Sequence, residues 1–129
     1  MNRKIVITAA IFGLLAVIAG AFGAHGLKAK LSIADIEIWH TGVEYQFYHV
    51  FALLFLGLYT NGRKSLVNLS YYLLTLGIIC FSGSLYLLAA DDLLGWRIAH
   101  IIWPVTPLGG VFFIGGWLSL ALAAIFRNK

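Results

Sequence analysis

Glu44 and His49 are the residues best placed to do chemistry in this 129-residue chain, because both stand inside a long apolar stretch. An ionisable group at bilayer depth costs about 2.5–3.5 kcal/mol on insertion scales, so it persists where it is paired or used. Spacing limits the use. Five residues apart on a helix is about 140° around the axis, so the two do not share a face. Glu44 can meet His40 or Tyr48 four residues away, and His49 can meet Tyr45 or Gln46. The chain has no HExxH pair and no serine nucleophile motif. Cys80 is its one cysteine, which excludes an internal disulfide and a cysteine zinc site. A metal would need ligands from several helices, such as His25, Glu44, His49 and His100. Three readings therefore stand: a hydrogen-bond network that docks helices, a ligand or ion site, or metal-assisted catalysis. The first needs the least, and no metal, cofactor or catalytic residue is expected.

Composition decides the setting. Hydrophobic residues are 61% of the chain and charged residues 11%, against roughly 45–50% and 25% in soluble domains. So small a soluble globule would lack the polar groups to cover its surface. The net charge of +4 is nine basic residues against five acids, the basic ones scattered as four pairs and a single Arg97. They form no stripe of the kind nucleic acid requires.

Four apolar stretches, at about 5–24, 41–59, 71–90 and 104–126, form one transmembrane domain spanning 1–129. Each is near the ~20 residues a helix needs to cross hydrocarbon. None alternates as a barrel strand would. The expected fold is an all-α bundle of four membrane helices. The first stretch is longer than the 7–15 apolar residues of a cleaved signal, so it is expected to stay as a helix. Arg3, Lys4, Arg63, Lys64, Arg127 and Lys129 fall on one side, and Lys28, Lys30 and Arg97 on the other. The basic side, with both termini, is expected to be cytoplasmic. The five acids and four histidines then all lie in the outer half, with Trp39, Trp96 and Trp103 near the outer interface. Ser32 and Asp35 have N-cap spacing, so a short interfacial helix is expected before the second span, bending or running into it. The third loop, rich in Leu and Ile, is expected to lie in the interface or over the helix ends. Pro104 suits a first helical turn, and Pro107 before Leu108-Gly109-Gly110 can loosen it, an ordinary start being favoured.

Small residues mark the packing faces. Ala9, Gly13, Ala16, Gly20 and Gly23 fall within an arc of about 80° on the first span. Gly109, Gly116 and Ala123, with Ser119, do so on the fourth. Ser70, Gly77 and Ser84 recur every seven residues on the third. Such stripes let helices approach closely, and a seven-residue seam favours a shallow left-handed crossing. On the second span, Val43, Phe47, Val50, Leu54 and Leu58 share an arc of under about 90° and are expected to face lipid. Its polar arc, from His40 to His49, is expected to face protein or water.

Four co-ordered segments carry a resemblance. They are Gly20-Ala-Phe-Gly-Ala-His-Gly26, Trp39-His-Thr-Gly-Val-Glu-Tyr-Gln46 with Tyr48-His49, Phe81-Ser-Gly-Ser-Leu-Tyr86, and Thr106-Pro-Leu-Gly-Gly110 with Gly116-Trp117. Together they resemble the domain-of-unknown-function 423 family (UPF0382), small bacterial inner-membrane proteins similar to transmembrane protein 256. The resemblance covers nearly the whole chain. It implies a four-span plasma-membrane protein with no assigned activity, and it carries over no catalytic or binding residues. The positions it marks here are His25, Glu44, Tyr45, Gln46, His49, Ser82, Ser84, Tyr86, Pro107, Gly109 and Gly110. His40 and His100 fall outside the pattern, which leaves His25, Glu44 and His49 as the core of any site.

Two functions of different class follow as expectations. The first is a non-enzymatic membrane protein whose outer-half polar pocket binds a small ligand, lipid or cation, through His25, Glu44, Tyr45, Gln46, His49, Ser82, Ser84 and Tyr86. The second is an oligomeric transporter or channel for protons or small solutes past Glu44 and His49. The expected partners are the lipid bilayer and either a second copy or another membrane protein, with no nucleic acid.

Overall fold

The computed structural model describes residues 1–127; Lys129, counted above with the basic side, lies outside them. Six α-helices and two wide π-helical turns build four long rods, with no strand among the described residues. Helix α1 is Arg3–Phe22 and continues into a π turn at Gly23–Leu27. Helix α2 is Ile33–Leu58. Helix α3, Lys64–Gly77, passes through a second π turn, Ile78–Ser82, into α4, Gly83–Leu94. One turn of helix, α5 at Ala99–Ile102, precedes α6 at Val105–Ile125.

Local chemistry sets the ends. Ser32 caps α2, its Oγ accepting the Asp35 amide at 3.1 Å and donating to the Asp35 carboxylate at 2.7 Å. The helix then runs unbroken for 26 residues, so the expected interfacial helix and second span are one element. Pro107 sits in the first turn of α6, where a missing amide hydrogen leaves no bond unmade, and the helix starts without a break. At the end of α4, Gly95 takes the left-handed conformation, φ 66°, that closes a helix carbonyl end without a Cβ clash.

The rods pair antiparallel. Asn2 N–H donates to the Gly57 carbonyl at 2.7 Å, tying the start of α1 to the end of α2. Ser70 Oγ donates to the Gly116 carbonyl at 2.8 Å, tying α3 to α6. The α1 stripe turns to α2: Ala9 and Ala16 are fully buried, a Cβ on Gly13 would sit 3.4 Å from Val50, and one on Gly20 would sit 3.5 Å from Val43. The α6 stripe turns to the α3–α4 rod. A Cβ on Gly109 would strike the Phe81 backbone, and one on Gly116 would sit 2.6 Å from Leu74. The core runs through Ile5, Leu53, Leu56, Leu74 and Ile78 between these pairs.

One expectation is reversed. Val50 is buried, and Val43, Phe47 and Leu54 are half-buried. The α1 glycines draw this apolar arc of α2 inward, since a ridge of β-branched side chains fits a groove of small ones. Of the five, only Leu58 is exposed. The outward face of α2 instead carries Glu37, His40, Glu44, Tyr48, Phe51 and Phe55.

Three rods are long and apolar enough to cross a membrane: Arg3–Leu27, Lys64–Leu94 and Ala99–Ile125. Helix α2 has the length, but its first half is too polar to join them on composition.

Candidate functional site

Gln46 is the centre of the polar interior. It is buried on α2, where its Nε2 donates to the Phe12 carbonyl of α1 at 2.8 Å and its Oε1 accepts the Tyr86 hydroxyl of α4 at 2.6 Å. One amide therefore joins three rods. Tyr86 reaches it because helical side chains lean toward their own N-terminus. Gly42 leaves the phenol room: a Cβ there would come within 2.9 Å of the Tyr86 ring. Ser82, fully buried in the π turn, donates to the Gly42 carbonyl at 2.7 Å. A π turn shifts the side chains that follow by an extra residue and is common at functional positions. Here it lets Ser82 and Tyr86 both meet α2.

Trp39 completes this side. Its ring lies 4.6 Å from that of Tyr86, and its Nε1 donates to the Ala19 carbonyl at 2.8 Å. Above Gln46, Tyr86 and Trp39 lies an apolar groove of about 420 Å³, walled by Phe12, Leu15, Ile18 and Phe22 of α1 and by Ile78, Ile79 and Gly83 of the opposite rod. A second hollow of about 420 Å³ shares Phe22 and Trp39 with it and leads past Gly26, Leu27, Leu93 and Leu94 to Lys30.

His49 belongs to a different side of α2. It is buried with its ring stacked on Phe113, centroids 3.4 Å apart. Its Nδ1 donates to the Tyr45 carbonyl at 2.6 Å, and its Nε2 accepts the Trp117 indole hydrogen at 3.1 Å. An indole nitrogen only donates, so the ring is held as the Nδ1–H tautomer with both nitrogens occupied. Ser84 bonds Thr106 at 2.6 Å and the Phe81 carbonyl at 2.9 Å, closing α4 against α6.

The structure thus gathers Gln46, Ser82 and Tyr86 into one cluster and sets His49 and Ser84 in separate pairs. His25 and Glu44 are exposed and do not converge with them; Tyr45, also exposed, meets His49 through its carbonyl and its ring, with centroids 6.3 Å apart. No group of three His, Cys, Asp or Glu side chains converges among the described residues. The one buried side-chain oxygen or nitrogen without a partner among them is Thr75 Oγ1, away from this cluster. Trp39, Thr106 and Trp117 are partners that sequence reading missed. The available signal was general: an indole N–H packed against other helices tends to find an acceptor. Asp91 was missed too. It is buried, and its carboxylate accepts the amides of Ile98 at 2.9 Å and Ala99 at 3.2 Å, capping α5 from a distance.

A family model described as protein of unknown function (DUF423) matches residues 19–110, the stretch that holds this cluster. The chain belongs to the DUF423 family. Similar relatives of the family share nearly the whole length. The UPF0382 membrane protein SERP0230 of Staphylococcus epidermidis is 43% identical over 123 residues, 95% of this chain and 96% of the relative. The UPF0382 membrane protein YwdK of Bacillus subtilis is 42% identical over 126 residues, 95% and 97% of the two chains. The UPF0382 inner membrane protein YgdD of Escherichia coli is 40% identical over 125 residues, 96% and 91%. No solved structure matches the chain. The DUF423 relatives are membrane proteins, and the exposed Ile7, Leu14, Ile18, Ile114 and Leu118 give this one a surface suited to lipid.

Proposed function

We propose that this is a non-enzymatic four-span protein of the bacterial inner membrane, both termini cytoplasmic, that binds a phospholipid in the groove above Gln46 and Tyr86. The carrying observation is the groove itself, apolar along its walls and next to a hollow that shares Phe22 and Trp39 with it and has Lys30 in its lining. From Phe12 to Phe22 the groove follows α1 for about 15 Å at 1.5 Å per residue. One leaflet's hydrocarbon is also about 15 Å thick, half of a ~30 Å core. An acyl chain laid there would put its headgroup beside Lys30, where a cation attracts an anionic lipid by about 1 kcal/mol. The polar groups beneath are already paired with one another, so they shape the floor and leave the wall contacts to select a hydrocarbon chain. The transporter reading finds less support, because His49 has both nitrogens engaged and lies on a different face from Glu44.

The test uses Gly83, which lines the groove and where an added Cβ meets nothing within 4 Å. Gly83→Phe fills the groove without a clash at its base. Purified protein is titrated with phosphatidylglycerol and phosphatidylcholine of equal chain length, with thermal stability and native mass spectrometry as readouts. Wild type should bind and be stabilised. Gly83→Phe should fold but lose both effects. Lys30→Gln should weaken phosphatidylglycerol about fivefold, as loss of ~1 kcal/mol implies, and leave phosphatidylcholine unchanged. Equal lipid stabilisation of wild type and Gly83→Phe would overturn the reading.

A further inference from the structure

The outward face of α2 is not built for lipid. Glu37, His40, Glu44, Tyr48, Phe51, Phe55 and Leu58 are all exposed, and at 100° per residue they fall in an arc of about 80°. Glu37, Glu44, Phe51 and Leu58 recur every seven residues, with Tyr48 and Phe55 as a second row at the same spacing. A seven-residue repeat keeps one face against a partner helix over many turns in a shallow left-handed crossing. The polar members need that partner. With the inner end of α2 at Leu58, about 20 residues of hydrocarbon reach back to Trp39. Glu44 then lies about 7.5 Å inside the boundary and Tyr48 about 13.5 Å, near the midplane. Neither side chain makes a hydrogen bond among the described residues, although Thr41, Gln46 and His49 on the same helix do.

We propose that this face pairs with the same face of a second copy, about a twofold axis along the membrane normal. Such an axis brings residues of equal depth together. His40 of one copy lies one turn, about 6 Å, above Glu44 of the other, within reach of the two side chains. The imidazole N–H, and the Tyr48 hydroxyl from below, donate to the carboxylate, and the symmetry makes each bond twice. The His40–Glu44 complementarity is what selects a second copy, since one face carries both halves of the pair. Phe51, Phe55 and Leu58 close the inner half of the seam. The pairing rests on α2 spanning the membrane, and it does not involve the lipid groove, which opens on another side of α2.

The experiment uses full-length protein with Cys80→Ser, reconstituted in vesicles of phosphatidylethanolamine and phosphatidylglycerol. Spin labels at Phe51→Cys, Leu14→Cys and Ile114→Cys report distances between copies, and photobleaching steps report copy number as lipid is added. Pairing requires two copies and a short, narrow distance at Phe51→Cys only. Glu44→Leu should weaken dimerisation about fiftyfold, as loss of four interhelical hydrogen bonds, two at each carboxylate, implies, with His40→Leu acting in the same direction. Glu44→Gln, which can still accept from both donors, should lose less. A protein that stays monomeric at every dilution, or a dimer whose short distance is at Leu14 or Ile114, overturns the proposal. So does crosslinking of Phe51→Cys in native membranes to a different polypeptide from a chain that purifies as a monomer. An impermeant aqueous maleimide separates the two failures: reaction at Phe51→Cys removes the spanning of α2 as well, whereas protection in a monomer removes the pairing alone.

Discussion

Tyr86 donates its hydroxyl to Gln46 Oε1 at 2.6 Å, and Gln46 in turn donates to the Phe12 carbonyl at 2.8 Å. The bond is therefore one link of a tie across three rods. Tyr86→Phe leaves a buried amide oxygen without a donor, which should lower stability by about 1 kcal/mol, within the range measured for buried and interhelical bonds. Gln46→Leu removes both links and frees the Phe12 carbonyl. The two substitutions should be non-additive by about 0.6–1.7 kcal/mol, measured by reversible unfolding in mixed micelles. Strict additivity would mean that the bond contributes nothing.

Neighbouring glycines should respond in opposite ways. A Cβ on Gly109 strikes the Phe81 backbone, while one on Gly110 meets nothing within 4 Å. Gly109→Ala should push α6 off the π turn and cost about 1–3 kcal/mol, as overpacking does. Gly110→Ala should be neutral or stabilise by up to ~1 kcal/mol through helix propensity. Melting temperatures of both in one detergent decide it, and equal shifts would contradict the close contact.

The small-residue stripes were legible in the sequence because a packing face at helical period leaves its mark in residue size. Gly13, Gly20, Gly109 and Gly116 all abut the facing helices. The α2 faces were not legible. Val43, Phe47, Val50 and Leu54 suit lipid and a glycine groove equally well, and hydrophobicity does not distinguish the two. Glu44 was grouped with His49 for its polarity, yet the faces that residue numbers separate by about 140° are also separate in the fold. The π turns carried no local signal, although they decide that Ser82 and Tyr86 face α2. Long-range partners such as Trp117 for His49 need the tertiary arrangement.

Asp91 holds the third connection. Its two oxygens take the amides of Ile98 and Ala99, and Arg97 just before them is at φ 53°, a conformation that asks for support. Asp91→Ala should lose about 1–2 kcal/mol, the usual cost of a lost cap. Hydrogen exchange should rise at residues 98–102 and stay unchanged in α1. Exchange at Ile98 and Ala99 that does not differ from wild type would remove this role.

His49 should be a single tautomer. Nδ1–H donates to Tyr45 and Nε2 accepts from Trp117, so nitrogen shifts of labelled imidazole should show hydrogen on Nδ1. Trp117→Phe keeps an aromatic wall but removes the donor. The tautomer should persist, since the Tyr45 bond remains, while the Nε2 signal moves toward that of an unbonded acceptor and stability falls by about 1 kcal/mol. Hydrogen on Nε2 in the wild type would reverse the assigned roles.

Whether α2 crosses the membrane is decided by the two connections that flank it. Its last half, from Val50 to Leu58, is apolar, and its first half carries Glu37, His40 and Glu44 outward. If the helix spans, Lys30 and Asn61 lie on opposite sides, with Lys30 outside under the excess of basic residues at the other end. In a Cys80→Ser background, Lys30→Cys and Trp96→Cys should react with an impermeant maleimide on intact cells, and Asn61→Cys only after permeabilisation. Three spans with α2 lying along the surface would put Lys30 and Asn61 on the same side, so matching reactivity at those two positions would remove the four-span topology. Pairing through α2 would fall with it, because Glu44 and Tyr48 would then meet water and need no partner.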